Sequence, residues 1–247
     1  MSAIPWWSEA FAAEYVDLYP HRDLPAARGE ARFLVERGLA GRVLDLCCGW
    51  GRHLIAFQEL GLEVAGVDWS ADLLARLAAL PEGLRVAPRV VRGDARRLPF
   101  RDASFDGVVS LFSSFGYFGG EGDRALLAGL ARVLVPGGVG FLDVMNPEFV
   151  RANLVPESRR ERGGALLVER RRLVGEAVRK DVELWRGGAV VRTWYEEVRM
   201  YAPAELDECL ASVGLRREAR WGGFDGVEFG PGSPRQLLRV RADPRRG

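Results

Sequence analysis

The sequence predicts an α/β protein: a doubly wound, mostly parallel sheet of seven strands, with an antiparallel β insertion after strand five. Three observations lead there. Between residues 41 and 145, short β-branched runs alternate with helical patterns of about ten residues, the pattern of parallel strands joined by crossover helices. A glycine turn, CCGWG at 47–51, lies at the first strand-to-helix junction. After Pro147 the period changes to apolar–charged alternation, which suits antiparallel strands with one wet face.

The elements follow in order. Residues 8–18 (SEAFAAEYVDL) space apolar groups for a helix behind a Ser8 N-cap, ending at Tyr19-Pro20. A second helix is expected over Ala26–Arg37, closed by Gly38. Arg42–Leu46 reads as a strand, Gly51–Leu60 as a helix, and Glu63–Val67 as the next strand. A helix over Ala71–Leu80 leads to strands at Arg89–Arg92 and Phe105–Ser110. A helix over Asp123–Leu134 stops at Pro136-Gly137-Gly138, and Val139–Val144 is a fully apolar strand. Residues 165–201 hold two or three antiparallel strands with turns at Gly175-Glu176 and Gly187-Gly188. A helix over Pro203–Val213 and strands at Leu215–Trp221 and Gln236–Arg241 close the chain. The domain reading is an N-terminal helical lid (1–40), a ligand-binding core (41–150), a β insertion (151–202) covering a substrate or contacting a second copy, and a C-terminal helix and two strands (203–247) completing the sheet.

Composition narrows the function. A net charge of +1 gives no general attraction to nucleic acid or anionic membrane. No apolar run approaches the ~20 residues that span a bilayer, and MSAIPWWSEAF lacks the basic start and apolar core of a secretory signal, so a cytoplasmic setting is expected. Lys180 is the only lysine, and Asn and Gln are scarce, as in GC-rich genomes and in thermophiles. Cys47, Cys48 and Cys209 form no CxxC pair, and His21 and His53 are the only histidines, too few for a zinc site. Both thiols of the turn read as small packed groups.

Three ligands compete at the glycine turn. A P-loop needs a lysine that the turn lacks. A dinucleotide fingerprint, GxGxxG, fits Gly49 and Gly51 but meets Leu54 at its third position. A turn holding a nucleoside joined to an amino acid puts an acidic residue at the strand end, and Asp45 stands there; its charge suits an amino group and opposes a pyrophosphate.

DLCCGWG resembles the first motif of the class I S-adenosylmethionine (SAM)-dependent methyltransferases, with Cys47 where that family prefers glycine. VAGVDWSADLL resembles the second motif, GDARRLPF the third, FDGVVSLFSSFGYF the segment after strand four, and LARVLVPGGVGFLDV the helix, PGG turn and fifth strand. Five motifs in the family's order cover residues 41–145; YAPAELDECLASVGL and FDGVEFGPGSPRQLLRVRA match more loosely. The resemblance implies a Rossmann-like methyltransferase fold with SAM as cofactor and S-adenosylhomocysteine as product. It implies that Asp45, Cys47, Gly49 and Gly51 cradle the amino-acid end. Asp68, 17 residues after Gly51, would bind the ribose hydroxyls, with Trp69 covering the adenine face or packing on the helix. Asp94 and the Ala95 amide would meet the adenine edge, and Phe112 the methyl-transfer face. Tyr15 and Tyr19 are expected at the cofactor carboxylate, with Trp6 or Trp7 in a lid. Arg52 and His53 are expected to face solvent, or else to meet an acidic acceptor or that carboxylate.

The reaction asks mainly for nucleophile and methyl to be held in contact. Tyr117 is the candidate to orient or deprotonate the acceptor, with Phe115, Trp194, Tyr195 and Tyr201 as acceptor walls and Phe118 packing nearby. No [DN]PP[YF] follows strand four and no Cys lies there, which argues against a nucleic-acid base as acceptor. The Arg-rich stretch 159–180 is interleaved with Glu and reads as a solvated strand face. A small-molecule acceptor is the favoured reading, with a homodimer as a possible assembly. The rivals are an RNA or protein methyltransferase, an NAD-dependent oxidoreductase and a non-catalytic SAM-binding module.

Overall fold

The computed structural model describes residues 5–12, 14–19 and 22–244. The outer ends of the 1–40 and 203–247 units, and His21, therefore lie outside the described residues. Strands β1 (Arg42–Leu46), β2 (Glu63–Asp68), β3 (Val90–Arg92), β4 (Phe105–Ser110) and β5 (Leu134–Met145) pair in parallel; β11 (Arg235–Ala242) pairs antiparallel with β5, and β10 (Leu215–Trp221) antiparallel with β11. The sheet order is β10-β11-β5-β4-β1-β2-β3. β1 and β4 sit centrally and are buried on both faces, which is why Val43, Leu44, Leu46, Val108 and Val109 form near-continuous apolar runs.

Helices cover both faces. α3 (Leu24–Glu36), α4 (Arg52–Glu59) and α5 (Ala71–Ala79) place Ala31, Leu34, Ile55, Phe57 and Leu77 against one face. α6 (Gly119–Val133) and α8 (Pro203–Ser212) place Leu126, Leu127, Leu130, Leu206 and Leu210 on the other. The parallel order reverses between β1 and β4, so the loops after these strands diverge and leave a crevice at their carboxyl ends.

Several expectations need correction. The helix over 8–18 is broken into α1 (Trp6–Ala10) and α2 (Tyr15–Leu18); Ser8 is no cap, because its hydroxyl donates to the Pro5 carbonyl at 2.7 Å. α3 starts two residues early, capped by Asp23, whose carboxylate accepts from Ala26 N at 2.9 Å. α6 begins at Gly119, and β5 runs through Pro136-Gly137-Gly138 with a register jump: Phe105 faces Leu134, then Gly107 faces Val139. α7 (Pro147–Asn153) was not anticipated.

The insertion is a separate four-stranded antiparallel sheet, β6-β7-β8-β9, from β6 (Glu157–Arg162), β7 (Ala165–Val174), β8 (Ala177–Arg186) and β9 (Ala189–Arg199). The sequence showed two or three of these. β6, ESRRER, has no apolar residue to alternate, because it is a wet edge strand. Its arginines are exposed, and Arg159 and Arg170 share Glu157 at 2.8 and 3.0 Å. One face of this sheet (Leu167, Val182, Leu184, Trp194) packs against Trp6, Ala10, Tyr15 and Tyr19, so α1 and α2 fill the space between the two sheets. No helix among the described residues is long and apolar enough to cross a membrane.

Candidate functional site

A cavity opens at the carboxyl ends of β1, β2 and β4, roofed by α1 and α2. Its floor is the glycine turn. The chain leaves β1 through Cys47 at φ 59°, then Gly49 at 57° and Gly51 at 74°. A cysteine in the left-handed region is strained by about 1 kcal/mol or more, which explains why a glycine suits position 47. Gly51 does not line the cavity; a Cβ there would meet Leu77 Cδ1 at 2.7 Å, so it lets α4 pack against α5. Cys48 is buried and Cys47 half-buried, and desolvation pushes both thiols well up, which makes them poor nucleophiles.

Asp45 and Asp68 define the polar end. Asp45 is 2% exposed, and its Oδ2 has no partner. Burial raises its carboxyl to about 8, against the nearby Arg52, which lowers it. Such a group is costly to leave unpaired and fits a cationic ligand. Asp68 closes β2 and accepts from Gly49 N at 2.7 Å and from Ser70 N at 2.8 Å. It thus ties the second strand to the glycine turn, while Ser70 caps α5. Trp69 stands at the rim, 42% exposed.

Ala95 and Asp94 line the opposite wall, but the Asp94 carboxylate is already engaged. Arg96 donates to both of its oxygens, Nη2 at 2.7 Å, and holds its carboxyl below the usual range. The same guanidinium sits 5.3 Å from the Trp7 ring and 5.1 Å from Phe118. Arg96 thereby links this wall to the aromatic roof.

The segment after β4 enters by a strained route, with Phe112 at φ 59° and Ser113 at 62°. Buried Asp143 of β5 holds it: Phe112 N donates to Oδ2 at 2.9 Å, Ser113 N donates to the Asp143 carbonyl at 2.9 Å, and Arg235 pairs with Oδ1. Asp123, fully buried at the start of α6, accepts from Gly116 N at 3.1 Å, Phe118 N at 3.2 Å and the Tyr201 hydroxyl at 2.8 Å. These two carboxylates fix the wall on which Phe112, Tyr117 and Phe118 stand.

Tyr117 lines the cavity between Trp6, with ring centroids at 4.9 Å, and Phe11, stacked at 5.8 Å. Burial pushes its hydroxyl well above the usual phenol range. Tyr15 also lines the cavity, pushed up to about 12 by burial, and accepts from Arg22. Arg52 and His53 are buried, contrary to the solvent-facing expectation, because Glu30 of α3 pairs with both at 3.1 and 2.7 Å. Burial lowers the His53 ring to about 4.

Besides Gly51, five expected residues stand outside the cavity: Tyr19, Phe115, Trp194, Tyr195 and Tyr201. Tyr19 donates to buried Glu169 of β7 at 2.9 Å, anchoring α2 to the four-stranded sheet. Phe115 is in the core against Tyr201, with centroids at 4.7 Å. Trp194 is buried between β9 and the N-terminal helices, and Tyr195 lies under Arg179 at 3.8 Å. Tyr201 joins them as the Asp123 donor. Sequence reasoning missed Asp143, Arg22, Arg96, Glu30 and Arg235; only Asp143, a carboxylate inside the apolar run FLDVM, carried a readable signal.

A family model described as "Methyltransferase domain" matches residues 43–138. Over 208 residues the chain is 30% identical to the dTDP-3-amino-3,4,6-trideoxy-alpha-D-glucopyranose N,N-dimethyltransferase of Streptomyces venezuelae, covering 79% of this chain and 84% of that enzyme. It is 40% identical over 145 residues to the cypemycin N-terminal methyltransferase of a Streptomyces species; that match spans 57% of this chain and 58% of the relative, less than two thirds of its length. Among solved structures, SAM-bound CalS10, an amino pentose methyltransferase from Micromonospora echinaspora, superposes with a TM-score of 0.69 at 24% identity, over 92% of this chain and 95% of that one. At that identity the likeness is one of fold.

Proposed function

The chain belongs to the class I SAM-dependent methyltransferases, and from that premise we propose that it methylates a nucleophile of a small molecule, leaving S-adenosylhomocysteine. The observation that carries the reading is Asp45, buried at the cavity floor with Oδ2 unpartnered and next to the Asp68–Gly49 bond. A cationic amino group suits that oxygen, and a dinucleotide's pyrophosphate does not.

In this reading Asp45 and the Cys47–Gly49 turn hold the amino-acid end, and Asp68 keeps the lone pairs left by its two backbone donors for the ribose. Ala95 meets the adenine edge beside Asp94, whose carboxylate Arg96 holds, Trp69 covers its open side, and Phe112 and Tyr15 flank the tail. Bound there, SAM supplies an electrophilic methyl on a sulfonium leaving group. The aromatic roof of Trp7, Phe11, Tyr117 and Phe118 excludes water and favours positive charge. Tyr117 keeps its proton at neutral pH, so it orients the acceptor by donating a hydrogen bond and does not act as base. A neutral amine brings its own lone pair and suits such a site; the N,N-dimethylation in the name of the Streptomyces venezuelae relative supports a nitrogen acceptor. The N-terminal segment and the four-stranded sheet serve as the acceptor's cover.

Calorimetry with S-adenosylhomocysteine and with NAD tests the ligand: binding of the first alone is expected, and binding of NAD alone overturns the reading. A metabolite screen with methyl-labelled SAM then tests turnover and acceptor class; methylation of RNA or protein alone would sink the small-molecule reading.

A further inference from the structure

Two guanidiniums line the cavity, and among the described residues only that of Arg52 has a carboxylate partner. We propose that Arg22 receives an anionic oxygen group of the acceptor, so that the acceptor is an amine carrying a carboxylate or phosphate elsewhere in the molecule. The inference rests on the SAM reading of the same cavity.

Both cavity-lining guanidiniums approach Phe112, with Arg52 at 4.1 Å and Arg22 at 5.6 Å from the ring centroid. Arg52 follows the glycine turn directly and is within electrostatic reach of Asp45. A zwitterionic tail lying on that turn finds Asp45 for its ammonium and Arg52 for a hydrogen bond to its carboxylate. Arg52 also keeps Glu30 at 3.1 Å.

Arg22 has no such partner. Among the described residues no carboxylate lies within ion-pair distance of it, its Nε is buried without an acceptor, and its Nη1 donates to the Tyr15 hydroxyl, which carries no charge. The groups facing it are Tyr15, Tyr19, Tyr117 and Phe112, and at longer range Glu196 of β9, which Lys180 already pairs at 2.8 Å. Arg22 therefore stands among Tyr15, Tyr19 and Tyr117, between the cofactor tail of the proposed function and the Tyr117 ring that is to orient the acceptor. The guanidinium is half-buried with its Nε shut off from solvent, and an incoming anion can pair with it through charge-assisted hydrogen bonds.

Titrations of the whole protein and of Arg22→Gln and Arg22→Lys separate the possibilities. S-adenosylhomocysteine and 5′-methylthioadenosine, which lacks the amino-acid end, are expected to bind all three forms with affinities within about twofold. With S-adenosylhomocysteine bound, the unaltered protein is expected to take up acetate or inorganic phosphate saturably; Arg22→Lys keeps this binding, and Arg22→Gln weakens it about tenfold or more. Preference for one anion identifies the acidic group. Selective loss of S-adenosylhomocysteine affinity in Arg22→Gln, with methylthioadenosine unchanged, would assign Arg22 to the cofactor carboxylate and overturn the proposal. Equal loss of both nucleosides would make the residue structural, and no saturable anion binding by the unaltered protein would also refute it. Failure of the unaltered protein to bind S-adenosylhomocysteine at all counts instead against the SAM reading.

Discussion

Replacing Asp45 by asparagine keeps the shape of the cavity floor and removes its one titrating oxygen pair. In the free protein burial raises this carboxyl from 3.8 to about 8, so at pH 7 about nine molecules in ten carry it protonated. An ammonium group placed at Oδ2 favours the carboxylate and draws the pKa down, so binding S-adenosylhomocysteine at pH 7 should release close to one proton. The assay is calorimetry at pH 7 in buffers of different ionisation enthalpy. The slope of observed heat against buffer enthalpy counts the protons, with about 0.9 expected for the native protein and about zero from this site in Asp45→Asn. Affinity should fall by about 1.5–3 kcal/mol, the range of a hydrogen bond to a charged group. Stability should move the other way. A carboxyl whose folded pKa lies above its unfolded value contributes stability that is complete below about pH 4 and lost as pH rises through 8. At about 1.4 kcal/mol per unit the loss is bounded by about 6 kcal/mol, with water entry reducing it. Asp45→Asn without ligand should therefore melt higher than the native protein at pH 8, the gap closing towards pH 4. Buffer-independent heats in the native protein, or an unchanged slope in the variant, would refute the reasoning.

Two further outcomes follow from the same contacts. Asp68→Ala removes the ribose acceptor and frees the Gly49 amide, and should weaken S-adenosylhomocysteine by about 1–3 kcal/mol in the same titration; equal affinity contradicts the assignment. Burial works against ionisation of Glu169, but Lys180, Tyr19, Arg171 and Arg160 outweigh it and hold its carboxyl down to about 2 from 4.5. Its contribution is present above about pH 4.5 and lost as pH falls through 2. Glu169→Gln should thus cost about 1–3 kcal/mol in urea unfolding at pH 7, less at pH 3, and should expose the Tyr19 segment to protease.

Much of the core was legible because it rests on local patterns. The strand at 105–110 was read to the residue, and β1 likewise, since β-branched runs bounded by turns have little competing interpretation. Cys47 was legible as a departure from glycine, but only the backbone shows what that departure means, a side chain held at positive φ. The wet edge strand β6 and the capped helix α7 were missed for lack of apolar periodicity. Arg52 and His53 were misplaced because α4 is buried on the side turned to Glu30, a partner 23 residues from His53 in the chain.

The sequence by itself determined the doubly wound order, the glycine turn and the acidic residues at successive strand ends, because each is written in contiguous residues whose backbone preferences need no distant help. Only the tertiary structure decided which aromatic residues reach the ligand. Tyr117 and Phe115 are two residues apart, yet one faces the cavity and the other packs on Tyr201, a choice made by Asp123 and Tyr201 from other elements. It also decided charge. Among the described residues, Asp45 with an orphaned oxygen, Asp94 already taken by Arg96, and Arg22 without a carboxylate partner are facts of burial and pairing, and burial is a property of the whole packed chain.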